Sequence, residues 1–452
     1  MRLLARLEWQ PLIYFFYSAL LAVAMVVSLP FWVYQMVRYG KYRAGLRERW
    51  GRVPERLRGV VEGAPLVWIH AVSVGEVLAV AGLVDEMRRR YPGNRVVVST
   101  TTDAGQALAR QRFGESDVFY FPIDFGFAIR PYLETLKPQV VVMAETEFWP
   151  NFLRLAKLSG ASVAVVNARI SDRSLTGYLR YRGLLRRVLE NVDLFLAQGE
   201  EDAARLRRIG AKAERVEVAG NLKYDLAPPH APPIVEALKI ALEKDGAGPV
   251  LVCGSTVEGE ESLLLRAFEN VLVRHSRAVM VVAPRHPDRW GEVEALLRLM
   301  KIAYVRRSEW SGQNLAGGVL LLDTIGELAA IYGLADVAFV GGSLVAQGGH
   351  NIIEPAQHGV AIVVGNHTEN FREMVNLFRG RHALRVVGPA ELPLELLDLL
   401  GNEAKRKELG KRAAETMRTQ TGATGRTAGV LGGLLYGSKA VGVRLEERDR
   451  TS

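Results

Sequence analysis

Acidic side chains stand where apolar runs end. The run LVWIH, residues 66–70, leads through the small-residue turn AVSVG into a helical pattern that begins near Glu76. Ser73 and Gly75 permit a tight turn there. A carboxylate at that point can face the ligand cleft of an α/β sheet, but composition alone favours the plainer role of a first-turn acid serving the helix dipole. The segment MAETEFWPN, residues 143–151, ends another buried run in Glu145 and Glu147. Alternation sets these two on one side, so crowding should push one of them toward neutrality. Lys223, in GNLKYD, is a point charge suited to a phosphate or a carboxylate.

The second half offers turns rather than acids. GSTVEGEE (254–261) joins a strand to a helix, and its free N–H groups could bind an anion. APRHPDR (283–289) presents Arg285 after an apolar run. DTIGEL (323–328) sets Gly326 and Glu327 at a helix start. In VGGSLVAQGGHNIIEPAQHG (340–359) two glycine pairs flank a loop, and Asn351 is expected to cap a helix that carries Glu354. Backbone amides of such a loop cradle phosphate, and a helix glutamate can reach a ribose. Turns of this kind at successive strand ends point to nucleotide binding. No P-loop is present, which argues against ATP hydrolysis.

These positions need a scaffold. Short β-branched runs alternate with longer helical patterns: 66–70, 95–100, 140–144, 162–167 and 194–197, then 250–253, 278–282, 319–322, 337–340 and 361–364. Continuous apolar strands between helices mean parallel sheets covered on both faces. The fold class is therefore α/β with two Rossmann-like, doubly wound domains, whose ligands belong at the carboxyl ends of the strands. The expected division is an anchor and basic segment at 1–60, a first domain at 61–225, a proline-rich linker at 226–233, a second domain at 234–436 and a charged tail at 437–452. The composition, 49% apolar and 24% charged, is globular. The net charge of +9 suits a membrane surface or an anionic substrate, and no aromatic-basic motif supports nucleic acid. Cys253 is the only cysteine and reads as a buried small apolar residue. No Cys/His spacing indicates a metal site, and no cofactor is expected.

Residues 9–37 carry no charge, enough to span a bilayer core. Trp9, Tyr14 and Tyr17 lie toward one end and Trp32 and Tyr34 toward the other, as interface anchors would. Pro30 marks either a kink or a shallow insertion. Eight basic residues between Arg38 and Arg58 face two acidic ones, which puts the long carboxy-terminal part in the cytoplasm and suits anionic lipids. The basic, aromatic stretch after NARISDRS (167–174), which includes Tyr178, Arg180, Arg186 and Arg187, reads equally as a membrane-surface helix or a solvated one. The apolar run differs in composition from the sheets, so neither core is expected to depend on it.

HAVSVGE, AETEFWPN, NARISDRS, NLKYD, GSTVEGEE, APRHPDR, GGHNIIEPAQHG and GNHTENF, in that order, closely resemble the blocks of the 3-deoxy-D-manno-octulosonate (Kdo) transferases of Gram-negative lipid A assembly. The resemblance implies a GT-B glycosyltransferase at the cytoplasmic face of the inner membrane. It implies transfer of Kdo from CMP-Kdo to the 6′-hydroxyl of a lipid A precursor, with inversion and without a metal. Glu76 matches the family's general base, and Glu145 and Lys223 match its transition-state stabilising positions. Pro284 and Arg285, Ile325, Gly326 and Glu327, and Asn351, Ile352, Ile353 and Glu354 match its CMP-binding segments. Ile325 stands where some relatives carry Met. Rival readings are a transferase of another activated sugar, an epimerase of the same fold, and a non-catalytic nucleotide-binding membrane module. The number of Kdo units, the acyl pattern of the acceptor and the oligomeric state are not legible.

Overall fold

Runs of Val, Ile and Leu buried on both faces build two all-parallel sheets. A computed structural model describes residues 4–39, 43–59, 64–225 and 232–437. Most of the linker (226–231), the tail from residue 438, the side chain of Trp9, Arg2 and Lys41 lie outside the described residues. The described residues of Met1–Leu226 and Thr421–Ser452 form one compact unit, and those of Ala227–Gln420 a second.

The first sheet holds β1 (Leu66–His70), β2 (Arg95–Thr100), β3 (Val118–Tyr120), β4 (Val140–Ala144), β5 (Ser162–Ala168), β6 (Leu194–Ala197) and β7 (Val216–Val218). Its order is β3-β2-β1-β4-β5-β6-β7, so the direction of winding reverses between β1 and β4. Alternate residues of β1 feed separate cores. Trp68 packs with Phe119, Tyr132 and Phe152 on one face, and Val67 and Ile69 pack with Val80, Leu83 and Leu431 on the other.

The second sheet holds β8 (Val250–Thr256), β9 (Val279–Pro284), β10 (Tyr304–Arg306), β11 (Val319–Leu321), β12 (Val337–Val340), β13 (Ala361–Val364) and β14 (Arg385–Val386), in the order β10-β11-β9-β8-β12-β13-β14. Its reversal lies between β8 and β12. Cys253 is fully buried in β8.

All ten apolar runs are strands. The sequence reading omits four more, β3, β7, β10 and β14, and these are the four sheet edges. Each has two or three residues and a single pairing partner, too little for an apolar period. The stretch after Ser171 is two helices, Asp172–Arg180 and Arg182–Leu189, broken at Tyr181.

One boundary departs from expectation. The helix Ala423–Tyr436 does not extend the second unit but packs in the first. Leu431 is fully buried there, Gly432 lies against Tyr91, and Tyr436 stacks toward Tyr91 at 5.7 Å. Asp225 accepts the N–H groups of Gly422 and Thr424, both at 2.6 Å, and so caps this helix from a distant part of the chain.

The amino-terminal helix Leu4–Tyr39 runs unbroken through Pro30. Leu12–Arg38 is long and apolar enough to cross a membrane, and Leu20, Val23, Val27 and Phe31 are exposed along it. The helix is not independent of the first unit. Tyr14 is buried, with its hydroxyl accepting from Asn191 Nδ2 at 2.9 Å and the Arg154 guanidinium 4.8 Å over its ring. Ser18 Oγ accepts from Asn151 Nδ2 at 3.0 Å. The expectation of a compositionally separate run overlooks these three polar contacts.

Candidate active site

Glu76 and Glu145 follow β1 and β4, the two strands at which the first sheet reverses. Ser73 occupies the N-cap of the helix Val74–Arg90, and Glu76 stands three residues on. Its Oε2 accepts from Val72 N–H at 2.9 Å and its Oε1 from the Ser73 hydroxyl at 3.1 Å. This turns the carboxylate back over the end of β1, a variant of the capping box that leaves it 9% exposed. Burial pushes its carboxyl up to about 7; the Val72 and Ser73 hydrogen bonds oppose this, and the charges of Glu145 and Glu147 add to it. A carboxyl poised there can take a proton at neutral pH.

Glu145 adopts a left-handed backbone, φ 54°, uncommon for a side-chain-bearing residue. Its N–H still donates to Val166 of β5 at 2.9 Å, so the residue is held while the chain turns away. Its Oε1 accepts from Lys223 Nζ at 3.1 Å, across 78 residues of sequence. Of the neighbouring pair, Glu147 is the acid held above its ordinary range, by burial first and by Glu145 second.

Lys223 is aimed by asparagines. It lies on the short turn Leu222–Asp225. Leu222 N–H donates to Asn167 Oδ1 and Lys223 N–H to Asn221 Oδ1, both at 3.0 Å. Gln198 joins the two by donating to the Asn167 carbonyl at 3.0 Å and accepting from Asn221 Nδ2 at 2.9 Å. Asn167 sits at φ 53°, a conformation that asparagine tolerates. Asn167 and Asn221 lie inside motifs singled out from the sequence but carry no role there, and Gln198 lies outside them. The signal available was an amide side chain at the end of each of two apolar runs, Asn167 after 162–166 and Gln198 after 194–197.

A histidine at the end of β1 is not a rival base. His70 is fully buried, stacked 3.9 Å from the Phe121 ring, with Nδ1 facing the Ser99 carbonyl at 3.1 Å. Burial drives it down to about 3, leaving a neutral and very weak base at pH 7.

In the second unit the expected donor-side residues fall at strand ends. Pro284 closes β9, and Arg285 is exposed beyond it, its N–H held by the Thr256 carbonyl at 2.9 Å. Ile325 is 81% exposed and Gly326 has φ 89°. Glu327 accepts from Arg307 at 2.7 Å and from the Thr324 hydroxyl at 2.5 Å. Ile352 and Ile353 are buried. Asn351 is not the N-cap of the helix Ile353–Gln357, a place taken by Ile352, yet its Oδ1 accepts the Ile353 N–H at 3.1 Å. Burial raises the carboxyl of Glu354, opposed by the charge of Arg285 and a hydrogen bond from Asn351. Burial, with the charges of Arg285 and His286, lowers His350 to about 4. Arg285, His350, Asn351 and Glu354 thus form one group, and Glu327 with Arg307 and Thr324 another.

Part of the glycine-rich loop after β12 is occupied by this chain: the amides of Gly342, Ser343 and Leu344 are filled by a carboxylate. Glu260, fully buried, accepts from Ser343 and Leu344 N–H on Oε1, both at 2.8 Å. Its Oε2 accepts from Gly342 at 2.7 Å and Val257 at 3.1 Å. A side chain on Gly341 would meet Glu260 Oε2 at 2.8 Å and the Ser255 carbonyl at 2.5 Å. Glu260 follows the first strand of its sheet as Glu76 follows β1, and each carboxylate reaches back to a valine N–H. One is held near 7 at the end of β1, and the other joins the loops after β8 and β12. Among the described residues, no group of three His, Cys, Asp or Glu side chains could hold a metal ion.

Residues 44–226 match the family described as 3-deoxy-D-manno-octulosonic-acid transferase (kdotransferase). The chain is 32% identical over 421 residues to the 3-deoxy-D-manno-octulosonic acid transferase of Haemophilus influenzae, covering 92% of this chain and 97% of that protein. It is 35% identical over 428 residues to the enzyme of the same name from Bordetella pertussis, covering 91% and 97%. The chain belongs to the Kdo transferase family. It is therefore a glycosyltransferase. Among solved structures, a putative UDP-N-acetylglucosamine 2-epimerase from Listeria monocytogenes shares the fold, with a TM-score of 0.57 over 82% of this chain and 95% of that one. At 15% identity this likeness concerns architecture alone, that of two parallel doubly wound sheets.

Proposed function

We propose that this Kdo transferase moves Kdo from CMP-Kdo to the 6′-hydroxyl of a lipid A precursor, inverting the anomeric centre without a metal. The observation that carries the reading is Glu76. Its carboxyl is held near 7 at the reversal of the first sheet, with the Glu145–Lys223 pair beside it. The acceptor hydroxyl loses its proton to Glu76 as it attacks. A base of matched pKa contributes on the order of 10² to 10⁴ in rate. Glu145 and Lys223 stabilise charge as the glycosidic bond to phosphate breaks. The CMP phosphate leaves toward positive groups of this chain. Arg285, exposed on a fixed backbone, offers its fork to the phosphate or to the Kdo carboxylate. Asn351 to Glu354 and Ile325 to Glu327 hold the nucleotide. Arginine, lysine and backbone dipoles supply the charge that a metal would otherwise bring.

The apolar helix attaches the enzyme to the inner membrane, with both units on its cytoplasmic face. That placement keeps the acceptor, a lipid that barely leaves the bilayer, at high local concentration. The test is incubation of the full chain with CMP-Kdo and a tetra-acylated lipid A precursor, with and without EDTA. Mass spectrometry then counts the sugars added. A mass increase of Kdo that survives EDTA supports the reading. No transfer from CMP-Kdo, or activity lost in EDTA and restored by magnesium, overturns it.

A further inference from the structure

We infer that the amino-terminal helix does not cross the bilayer but lies within one leaflet, with the amino terminus on the same side as the catalytic units. The inference rests on the membrane attachment proposed above and goes beyond it. Both ends of the apolar segment are fastened to the first unit. At the near end, Asn151 holds Ser18, Asn191 holds the Tyr14 hydroxyl and Arg154 covers the Tyr14 ring. At the far end the chain rejoins the same unit. Gly45 lies against the Tyr120 ring. Tyr120 N–H donates to Glu48 Oε2 at 2.8 Å and Ile123 N–H to the Arg49 carbonyl at 2.9 Å. Leu57 is fully buried.

A spanning helix cannot meet both ties. From Ser18 to Arg38 the helix rises about 30 Å, the full thickness of the hydrocarbon core. If it crossed, Arg38 would emerge on the side opposite the first unit. The chain would then have to return to Gly45 within seven residues, a reach of at most about 25 Å even fully extended. That return would also carry Lys41 and Arg43 through hydrocarbon. Insertion into one leaflet satisfies both ties. It buries the apolar side chains exposed around the helix, among them Leu20, Val23, Val26, Val27, Leu29 and Val37, in acyl chains and leaves Arg38, Arg43 and Arg47 at the headgroups.

The test uses cysteine. Cys253 is the only thiol and is buried, so Cys253→Ala gives a silent background. One variant carries a cysteine in a short extension ahead of Met1. A control carries Val273→Cys, an exposed position in the second unit. Membranes are first washed with carbonate, then spheroplasts and inverted vesicles are treated with a membrane-impermeant maleimide. Retention in the washed membranes, with both thiols unreactive in spheroplasts and both reactive in inverted vesicles, is expected. Reaction of the extension thiol in spheroplasts while the control stays silent would overturn the topology and leave attachment standing. Release of the protein by carbonate would remove attachment, and the topology with it.

Discussion

Replacing Glu76 with Gln keeps the shape of the side chain and removes its charge and basicity. The structure predicts two effects of opposite sign. In the wild type the active form is the carboxylate, so kcat/KM should rise as pH rises through about 7. At pH 6 about a tenth of the enzyme would be competent, and at pH 8 about nine-tenths. The Gln variant should lose this limb and about 10² to 10⁴ of the rate, or roughly 3 to 5 kcal/mol of barrier. Stability should move the other way. A carboxyl raised from 4.5 to about 7 in the folded state destabilises that state once it must ionise. The wild type is therefore penalised progressively between pH 4.5 and 7, by roughly 3 kcal/mol at full extent. The Gln variant should escape the penalty, less about 1 kcal/mol for an amide that cannot accept from both Val72 and Ser73. Urea unfolding of both proteins at pH 4.5 and pH 8, beside single-turnover transfer at the same pH values, measures both. A Gln variant that keeps more than about a tenth of the rate would refute the role of base. A stability difference that does not change with pH would refute the buried, poised carboxyl.

Arg285→Ala should weaken CMP binding by roughly 10- to 150-fold and leave the melting temperature unchanged, since the side chain is exposed and a charge-assisted hydrogen bond contributes roughly 1.5 to 3 kcal/mol; calorimetry with unaltered affinity would contradict it. Glu260→Gln should destabilise the second unit by roughly 3 kcal/mol or more, because an amide turns a donor toward two of the four N–H groups that the carboxylate now accepts. Denaturant curves that overlay the wild type would show that the loop after β12 does not depend on this residue. Deleting residues 1–37 should leave the sheets intact but lower the melting temperature of the first unit by about 4 to 8 °C, since burial of Tyr14 and its hydrogen bond contributes roughly 2 kcal/mol. An unchanged transition in detergent would mean that the helix only grazes the unit.

Inner strands are legible because burial on both faces forces a continuous apolar run, as VVVMA at 140–144 shows. Edge strands such as Arg385–Val386 pair on one side only and carry no such mark. Acids at strand ends could be read as site candidates from spacing. Their partners could not, since Lys223 meets Glu145 from 78 residues away and Glu260 meets Ser343 from 83 residues away. A glycine-rich loop reads as an anion cradle wherever it occurs. Only the fold discloses that the first three amides of this loop, those of Gly342, Ser343 and Leu344, hold the chain's own carboxylate. The docking of the amino-terminal helix was hidden for a similar reason: one tyrosine and one serine in an apolar stretch look like ordinary membrane-interface residues.

The helix Ala423–Tyr436, packed into the first unit and capped by Asp225, also bears on the order in which the protein is made. The first unit is translated first, yet its last structural piece leaves the ribosome only after the whole of Ala227–Gln420. At ordinary elongation rates this is a wait of roughly 10 to 40 s. Throughout that interval the groove that receives Leu431 and Gly432 stays open beside Tyr91, and the N–H acceptor of Asp225 stays unused. The Glu76 helix packs against this same late-arriving helix, and the Lys223 turn ends at its cap. A nascent or truncated chain that lacks Ala423–Tyr436 would thus hold Glu76 and Glu145 on an unfinished support. Arrival of Ala423–Tyr436 is then the step that completes the first unit.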